Sequence, residues 1–237
     1  MPLPGDYLES LRMMLSKEDI AKQIVDIAKQ AERLGLNRGT SGNMSVRFQE
    51  GFLVTPSGLT PDEMFPDKMV EMNFAGEAYG KNKPSSEWRF HCDILAARPE
   101  VGAVVHTHSI FATVLACLGK DVPPFHYMIA VVGGDSIRCA PYALFGSREL
   151  SNYVVNALEK RKACLLQNHG MVALGKDLKE AFSIAIEVET ICEQYCRTLQ
   201  LGGPRILSDK QMQEVLEKFK NYGKWIESSK TSSTNVN

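Results

Sequence analysis

Two histidines one residue apart, His106 and His108, close the β-branched run Val101-Gly-Ala-Val-Val. Side chains of an extended strand alternate faces, so positions i and i+2 point the same way. The run therefore aims two imidazoles at one point, which is how a transition-metal site begins, most often a zinc site. The same pair also describes two hydrogen-bonded polar side chains at a strand end, so other ligands decide between the readings. The chain has five histidines, and His169 follows another apolar run, Lys162–Gln167, at a second strand end. Glu87 supplies a carboxylate that can serve as a fourth ligand or a general base. It also suits a plain role at a helix N-terminus. Three histidines with an acid to hand favour a catalytic zinc with an open position.

The elements that must position these groups follow from periodicity. Ser16 with Asp19 reads as a capping box, and Ile20, Ile24, Ile27, Ala31 and Leu34 recur at helical spacing up to a stop at Gly35. Asn37-Arg-Gly-Thr-Ser-Gly-Asn43 is a small, polar, glycine-bearing loop that can offer N–H groups and hydroxyls to an anion, or simply turn. A hairpin is expected from Met44–Phe48 to Phe52–Thr55, running into a second such loop at Thr55-Pro-Ser57-Gly58. Lys68–Phe74 reads as a strand. Lys83-Pro-Ser85-Ser86-Glu87-Trp88 reads as the opening of a helix that runs to about Arg98, with Ser85 and Ser86 as caps or phosphate contacts. A helix capped by Ser109 runs to Cys117. Ile137–Ala140 is a strand, Gly146-Ser147 starts a helix to about Lys160, and Lys162–Gln167 and Met171–Leu174 are strands. Asp177 caps a long helix to about Gln200, whose Glu187, Glu189 and Glu193 form its solvated or interface side. Ser208–Gln211 is a capping box for a last helix ending near Tyr222-Gly223.

Composition bounds the rest. At 237 residues, 44% hydrophobic and 23% charged, the chain suits one globular domain or two small ones. A net charge of −1 without a basic run gives no reason to expect nucleic acid or an anionic membrane surface. No apolar run reaches the roughly 18 residues of a membrane span, and no secretory signal is visible. Six scattered cysteines without a C-x-x-C pair read as reduced, mostly buried thiols, so a cytoplasmic location is expected.

Seven stretches in order carry a resemblance: Leu34-Gly-Leu-Asn-Arg-Gly-Thr-Ser-Gly-Asn43, Val54-Thr-Pro-Ser-Gly58, Lys83-Pro-Ser-Ser-Glu-Trp-Arg-Phe-His91, Ala103-Val-Val-His-Thr-His108, His126-Tyr-Met-Ile-Ala130, Leu165-Leu-Gln-Asn-His-Gly170 and Phe219-Lys-Asn-Tyr-Gly223. From about Lys17 to Ile226 the chain resembles the class II (zinc) aldolase/epimerase family of sugar phosphates, and its L-fuculose-1-phosphate branch most. The resemblance implies one α/β domain over residues 17–226, with three α/β/α layers around a central, mainly antiparallel sheet. Residues 1–16 would be an extension and 227–237 a disordered polar tail.

It further implies one Zn2+ per subunit on His106, His108 and His169. Glu87 would ligate it at rest and then act as the base. A substrate phosphate would sit among Gly42, Asn43, Ser57, Gly58, Ser85 and Ser86. Tyr127 from a neighbouring subunit would be the acid, Tyr222 would close over the site, and the enzyme would be a homotetramer with its sites at subunit interfaces. The expected reaction is reversible cleavage of L-fuculose 1-phosphate, or a similar 1-phospho-ketose, to dihydroxyacetone phosphate and L-lactaldehyde. Rival branches are L-ribulose-5-phosphate 4-epimerases, where the motif reads P-S-S-D-T instead of Ser86-Glu87-Trp88, aldolases for 5-deoxyribulose or 5-methylthioribulose 1-phosphate, and a methylthioribulose-1-phosphate dehydratase. A non-catalytic head like that of adducin lacks the metal histidines. Ser57 stands where the family has threonine, which keeps the hydroxyl.

Overall fold

The computed structural model describes residues 15–220. Helix α1 (Lys17–Arg33) starts at the expected capping box, Ser16 with Asp19, and buries Ile20, Ile24, Ala28 and Ala31. Strands β1 (Asn43–Phe48) and β2 (Gly51–Val54) form the expected hairpin, and β3 (Val70–Asn73) follows. β3 is shorter than expected because Pro66–Lys68 turn as a 3-10 helix before it. A two-residue strand that the sequence did not announce, β4 (Ala78–Tyr79), pairs at its edge.

The next helix, α2 (Trp88–Ala97), begins at the end of the Lys83–Trp88 stretch that read as its opening, five residues after Lys83. Lys83–Ser85 are instead extended and zipped to the small-residue loop after β2. Pro84 bridges Pro56, Ser57 N–H donates to the Lys83 carbonyl at 3.0 Å, and Ser85 N–H donates to the Thr55 carbonyl at 3.0 Å. The pairing brings Ser57 and Gly58 beside Ser85 and Ser86.

Then come β5 (Ala103–Thr107), α3 (Ile110–Ala116), a 3-10 turn over Tyr127–Val132, β6 (Arg138–Ala140) and α4 (Arg148–Ala157). Strands β7 (Ala163–Leu166) and β8 (Gly170–Gly175) lead into the long α5 (Leu178–Gln200) and α6 (Asp209–Phe219).

The eight strands make one sheet in the order β4-β3-β2-β1-β5-β8-β7-β6. Every pairing is antiparallel except β6 with β7. Alternation along the strands feeds two cores. Ala103, Val105, Leu165 and Ala173 pack with α1, α3, α5 and α6 on one face. Val104, Leu166, Val172 and Leu174 pack with α2 and α4 on the other. The result is the expected three-layer α/β/α arrangement around a mainly antiparallel sheet. Among the described residues no helix is long and apolar enough to cross a membrane. The six cysteines are free thiols; Cys92, Cys164, Cys192 and Cys196 are buried, but Cys117, beyond the end of α3, is exposed.

Candidate active site

Four side chains that lie far apart in the chain converge where β5, the β7–β8 turn and the start of α2 meet. Ligand atoms of Glu87, His106, His108 and His169 all lie within 4.8 Å of one another. The i, i+2 geometry of the first pair holds, with His106 Nε2 3.0 Å from His108 Nε2. His169 reaches the same point because Asn168 adopts φ +56°, a left-handed turn that asparagine tolerates better than most residues. Gly170 follows without a side chain because a Cβ there would run into the Thr107 carbonyl. Glu87 occupies the position before α2, yet its carboxylate caps nothing. Its Oε2 lies 3.1 Å from His106 Nε2 and its Oε1 3.1 Å from His169 Nε2. The plain helix-terminus role is thus not the one its side chain performs.

The donor set suits a divalent cation. His106 Nδ1 donates to the Met171 carbonyl at 2.8 Å, which fixes the tautomer and leaves Nε2 as a lone pair facing the cluster. Burial above all, then His106 and His169, hold His108 neutral, with its pKa down to about 3. Burial pushes the Glu87 carboxyl up, but with protons on the facing nitrogens of His106 and His169 their charge and hydrogen bonds overcome this and hold it well below the usual carboxylate range, a part that a bound cation would take over. Glu87 Oε1 is buried and accepts no hydrogen bond. Imidazole nitrogens and a carboxylate gathered this closely can each offer a lone pair, and one cation would satisfy all four.

Two devices aim His108 just past the end of β5. Its backbone N–H donates to Asn37 Oδ1 at 3.0 Å, and Asn37 packs on Gly42, which takes φ +77° and has no room for a Cβ. On the other side, Ser109 does not cap α3 with its own hydroxyl as expected. Glu189 does: its carboxylate accepts from Ser109 Oγ at 2.7 Å and from the N–H groups of Phe111 and Ala112, both at 2.8 Å. Glu189 therefore faces inward to the β5–α3 elbow, a correction to its assignment to the solvated or interface side of α5.

The cluster opens into a cavity of about 410 Å³. Gly42, Asn43, Ser57, Gly58, Ser85 and Ser86, the six positions expected around a phosphate, all line it together with Glu87, His108 and His169. Among the described residues no lysine or arginine lines it, so an anion there would be met by hydroxyls and N–H groups. Tyr142, Ala143 and Phe145 also line the cavity, from a segment between β6 and α4 that carried no periodic signal. Asn43 does more than line the cavity. Its amide donates to Glu87 Oε2 at 3.0 Å and its carbonyl oxygen meets His91 Nε2 at 2.5 Å. Sequence alone assigns His91 no role. Tyr127, half-exposed at the start of its 3-10 turn, is not among the residues lining the cavity of its own chain. Tyr222 lies outside the described residues.

Sheet, layers and cluster define an α/β/α protein with a candidate metal site, and similarity to known proteins gives the family. The family model for the Class II Aldolase and Adducin N-terminal domain matches residues 22–196, and the chain belongs to that family as a class II aldolase. Among its relatives, the 5-methylthioribulose-1-phosphate/5-deoxyribulose-1-phosphate aldolase of Rhodospirillum rubrum is 56% identical over 84% of this chain and 90% of that protein. The L-fuculose phosphate aldolase of Escherichia coli is 45% identical over 90% of this chain and 100% of that one. A solved L-fuculose 1-phosphate aldolase superimposes with a TM-score of 0.82 at 38% identity, covering 85% of this chain and 96% of that one.

Proposed function

We propose that this class II aldolase uses one zinc ion per subunit to split a 1-phospho-ketose reversibly into dihydroxyacetone phosphate and a short aldehyde with an apolar end. The observation that carries the reading is one cavity that reaches the Glu87/His106/His108/His169 cluster through Glu87, His108 and His169 and also carries a rim of hydroxyls and glycines. Such a rim matches a phosphate and such a cluster matches a divalent cation. Tyr142, Ala143 and Phe145 give the cavity an apolar side that suits the aldehyde end. Together with the 56% relative, they favour 5-methylthioribulose or 5-deoxyribulose 1-phosphate as the preferred substrate. L-Fuculose 1-phosphate, whose lactaldehyde fragment also ends in a methyl group, is the second choice.

Bound in the cluster, the cation would act as a Lewis acid toward the ketose carbonyl and hydroxyl oxygens. The chain's own groups do the rest. Asn43, Ser57, Gly58, Ser85 and Ser86 hold the phosphate and set the distance to Glu87. In the cleavage direction a base removes the proton of the C4 hydroxyl, the C3–C4 bond breaks, and C3 takes a proton from Glu87 in its acid form; proton exchange with water returns base and acid to their starting states. In condensation Glu87 removes that C3 proton, and its carboxylate form is the one required. Tyr127 of a second copy exchanges the proton of the C4 oxygen. Its half-exposed position outside its own chain's cavity fits a site shared with a second copy, within the homotetramer that the family resemblance implies. We assign this activity to one domain over residues 17–226.

The test is kcat/KM of the zinc-loaded protein on 5-deoxyribulose 1-phosphate, 5-methylthioribulose 1-phosphate and L-fuculose 1-phosphate, read as dihydroxyacetone phosphate release. A preference for either pentulose phosphate is expected. Preference for L-fuculose 1-phosphate would overturn the order of substrates, and epimerisation without cleavage would overturn the reaction.

A further inference from the structure

We propose that His91 is a positioning residue: braced by Ser45, it fixes the Asn43 amide and thereby parks the Glu87 carboxylate between His106 and His169. The inference rests on the metal-site reading above and adds groups that touch neither substrate nor cation.

The geometry follows from two periodicities. Asn43 and Ser45 are two apart on β1, so they share a face, and the β1–β5 register sets Asn43 opposite His106 and Ser45 opposite Val104. Glu87 and His91 are four apart across the first turn of α2, so they also share a side. The two pairs meet in a buried line. Ser45 Oγ is 2.8 Å from His91 Nδ1, His91 Nε2 is 2.5 Å from Asn43 Oδ1, and Asn43 Nδ2 donates to Glu87 Oε2 at 3.0 Å. Ser45 and His91 are fully buried, and the His91 ring stacks on Phe90 with centroids 4.6 Å apart.

Each group has one role only. A carboxylate oxygen can only accept, so Asn43 must turn its NH2 toward Glu87. Its carbonyl oxygen then needs a donor, so His91 must carry its proton on Nε2. Nδ1 is left as an acceptor, and the Ser45 hydroxyl donates to it. Flipping the Asn43 amide would set oxygen against carboxylate. His91 and the carboxylate thus favour the same flip, and without His91 the buried Asn43 carbonyl oxygen loses its donor and its anchor. The Asn43 amide is also the one side-chain amide or hydroxyl that donates to Glu87 among the described hydrogen bonds. A polar line this deep in an apolar layer is costly unless its members are satisfied, and here Ser45, His91 and Asn43 each have a partner, while Glu87 keeps one oxygen free for the cluster.

A core histidine that merely packs would look similar at rest, so the test separates the two by coupling. The metal-stripped full-length chain is titrated with Zn2+ as wild type, His91→Phe, His91→Gln, Glu87→Ala and the His91→Phe/Glu87→Ala double variant. Outer ligand-orienting partners change metal affinity or activity by about 10–100-fold, so His91→Phe should weaken zinc at least about 10-fold. His91→Gln, which keeps a donor near the Nε2 position, should recover most of that loss. In the Glu87→Ala background His91→Phe should change the affinity less than about twofold, because the group it positions is gone. In turnover, kcat should fall with KM little changed.

Equal losses in both backgrounds, or no rescue by glutamine, would overturn the positioning role. Should His91→Phe fail to fold, Ser45→Ala enters the same cycle, with a smaller loss that also disappears in the Glu87→Ala background. Additive losses there would equally overturn it. A wild-type chain that binds no divalent cation would remove the metal reading itself, a result distinct from binding with additive losses.

Discussion

Replacing Glu189 with alanine tests how the strand carrying the histidine pair is held. Its carboxylate accepts three hydrogen bonds at 2.7–2.8 Å, one from a serine hydroxyl and two from N–H groups in the first turn of α3. Ser109 and Ala112 are fully buried, so water cannot replace the lost partner without opening the elbow. A helix N-cap is worth about 1 kcal/mol, and a hydrogen bond to a charged group about 1.5–3 kcal/mol. The three share one carboxylate and do not add fully, so about 3 kcal/mol is the expected loss. For a domain of this size that is about 6–12 °C in Tm. Thermal unfolding of the metal-stripped variant against wild type reads it. Glu193→Ala, on the same helix but paired with Arg197 at the surface, is the control and should stay within about 0.5 kcal/mol. If Glu189→Ala costs no more than this control, the carboxylate does not hold the elbow and the explanation of His108's placement fails.

Three further outcomes are expected. Gly42→Ala, which forces an alanine to φ +77° and its Cβ into Asn37, should cost about 2 kcal/mol and weaken zinc binding by displacing the hydrogen bond that aims His108; a variant as stable as wild type would contradict this. Glu87→Gln should lower kcat by about 10²–10⁴-fold while zinc remains bound through the three histidines; an active variant would end the role of Glu87 as base. The pH dependence of stability carries a third outcome. Burial first, and then the nearby His106, push the His91 ring from its ordinary 6.5 down to about 3. Below pH 6.5 the unfolded chain takes up a proton that the folded ring refuses. This destabilising contribution is absent above about 6.5 and grows by about 1.4 kcal/mol per pH unit as pH falls toward 3, reaching about 2 kcal/mol at pH 5. Urea unfolding of wild type and His91→Gln at pH 7 and pH 5 measures it, and an unchanged pH slope in the variant would refute it.

The histidine half of the candidate site was legible because a two-residue spacing on a strand has one geometric meaning. His106 and His108 needed no tertiary information to be paired. His169 joined them through its place at another strand end, although the left-handed turn at Asn168 that aims it leaves little trace in sequence. Glu87 was ambiguous for a physical reason: an acid before a helix satisfies the dipole as well as it satisfies a cation, and only the fold shows which way the carboxylate turns. The α2 boundary was misplaced because proline and serine suit both a helix start and an extended segment, and pairing of Lys83–Ser85 with the Thr55–Ser57 loop decided for the second. Glu189 was misread because its partners lie 77–80 residues earlier, and spacing along α5 carries no record of them. His91 did have a local signal, four residues after Glu87, but its meaning depended on the β1–β5 register that places Asn43 and Ser45 against it. The apolar wall at Tyr142–Phe145 belongs to an irregular segment, where periodicity has nothing to say.

The most direct measurement is dihydroxyacetone phosphate release from 5-deoxyribulose 1-phosphate by the purified protein before chelation, after a zinc chelator, and after zinc is returned. Cleavage should be lost on chelation and restored as zinc reaches one ion per chain. Undiminished cleavage by protein shown to hold no metal would contradict a zinc-dependent aldolase.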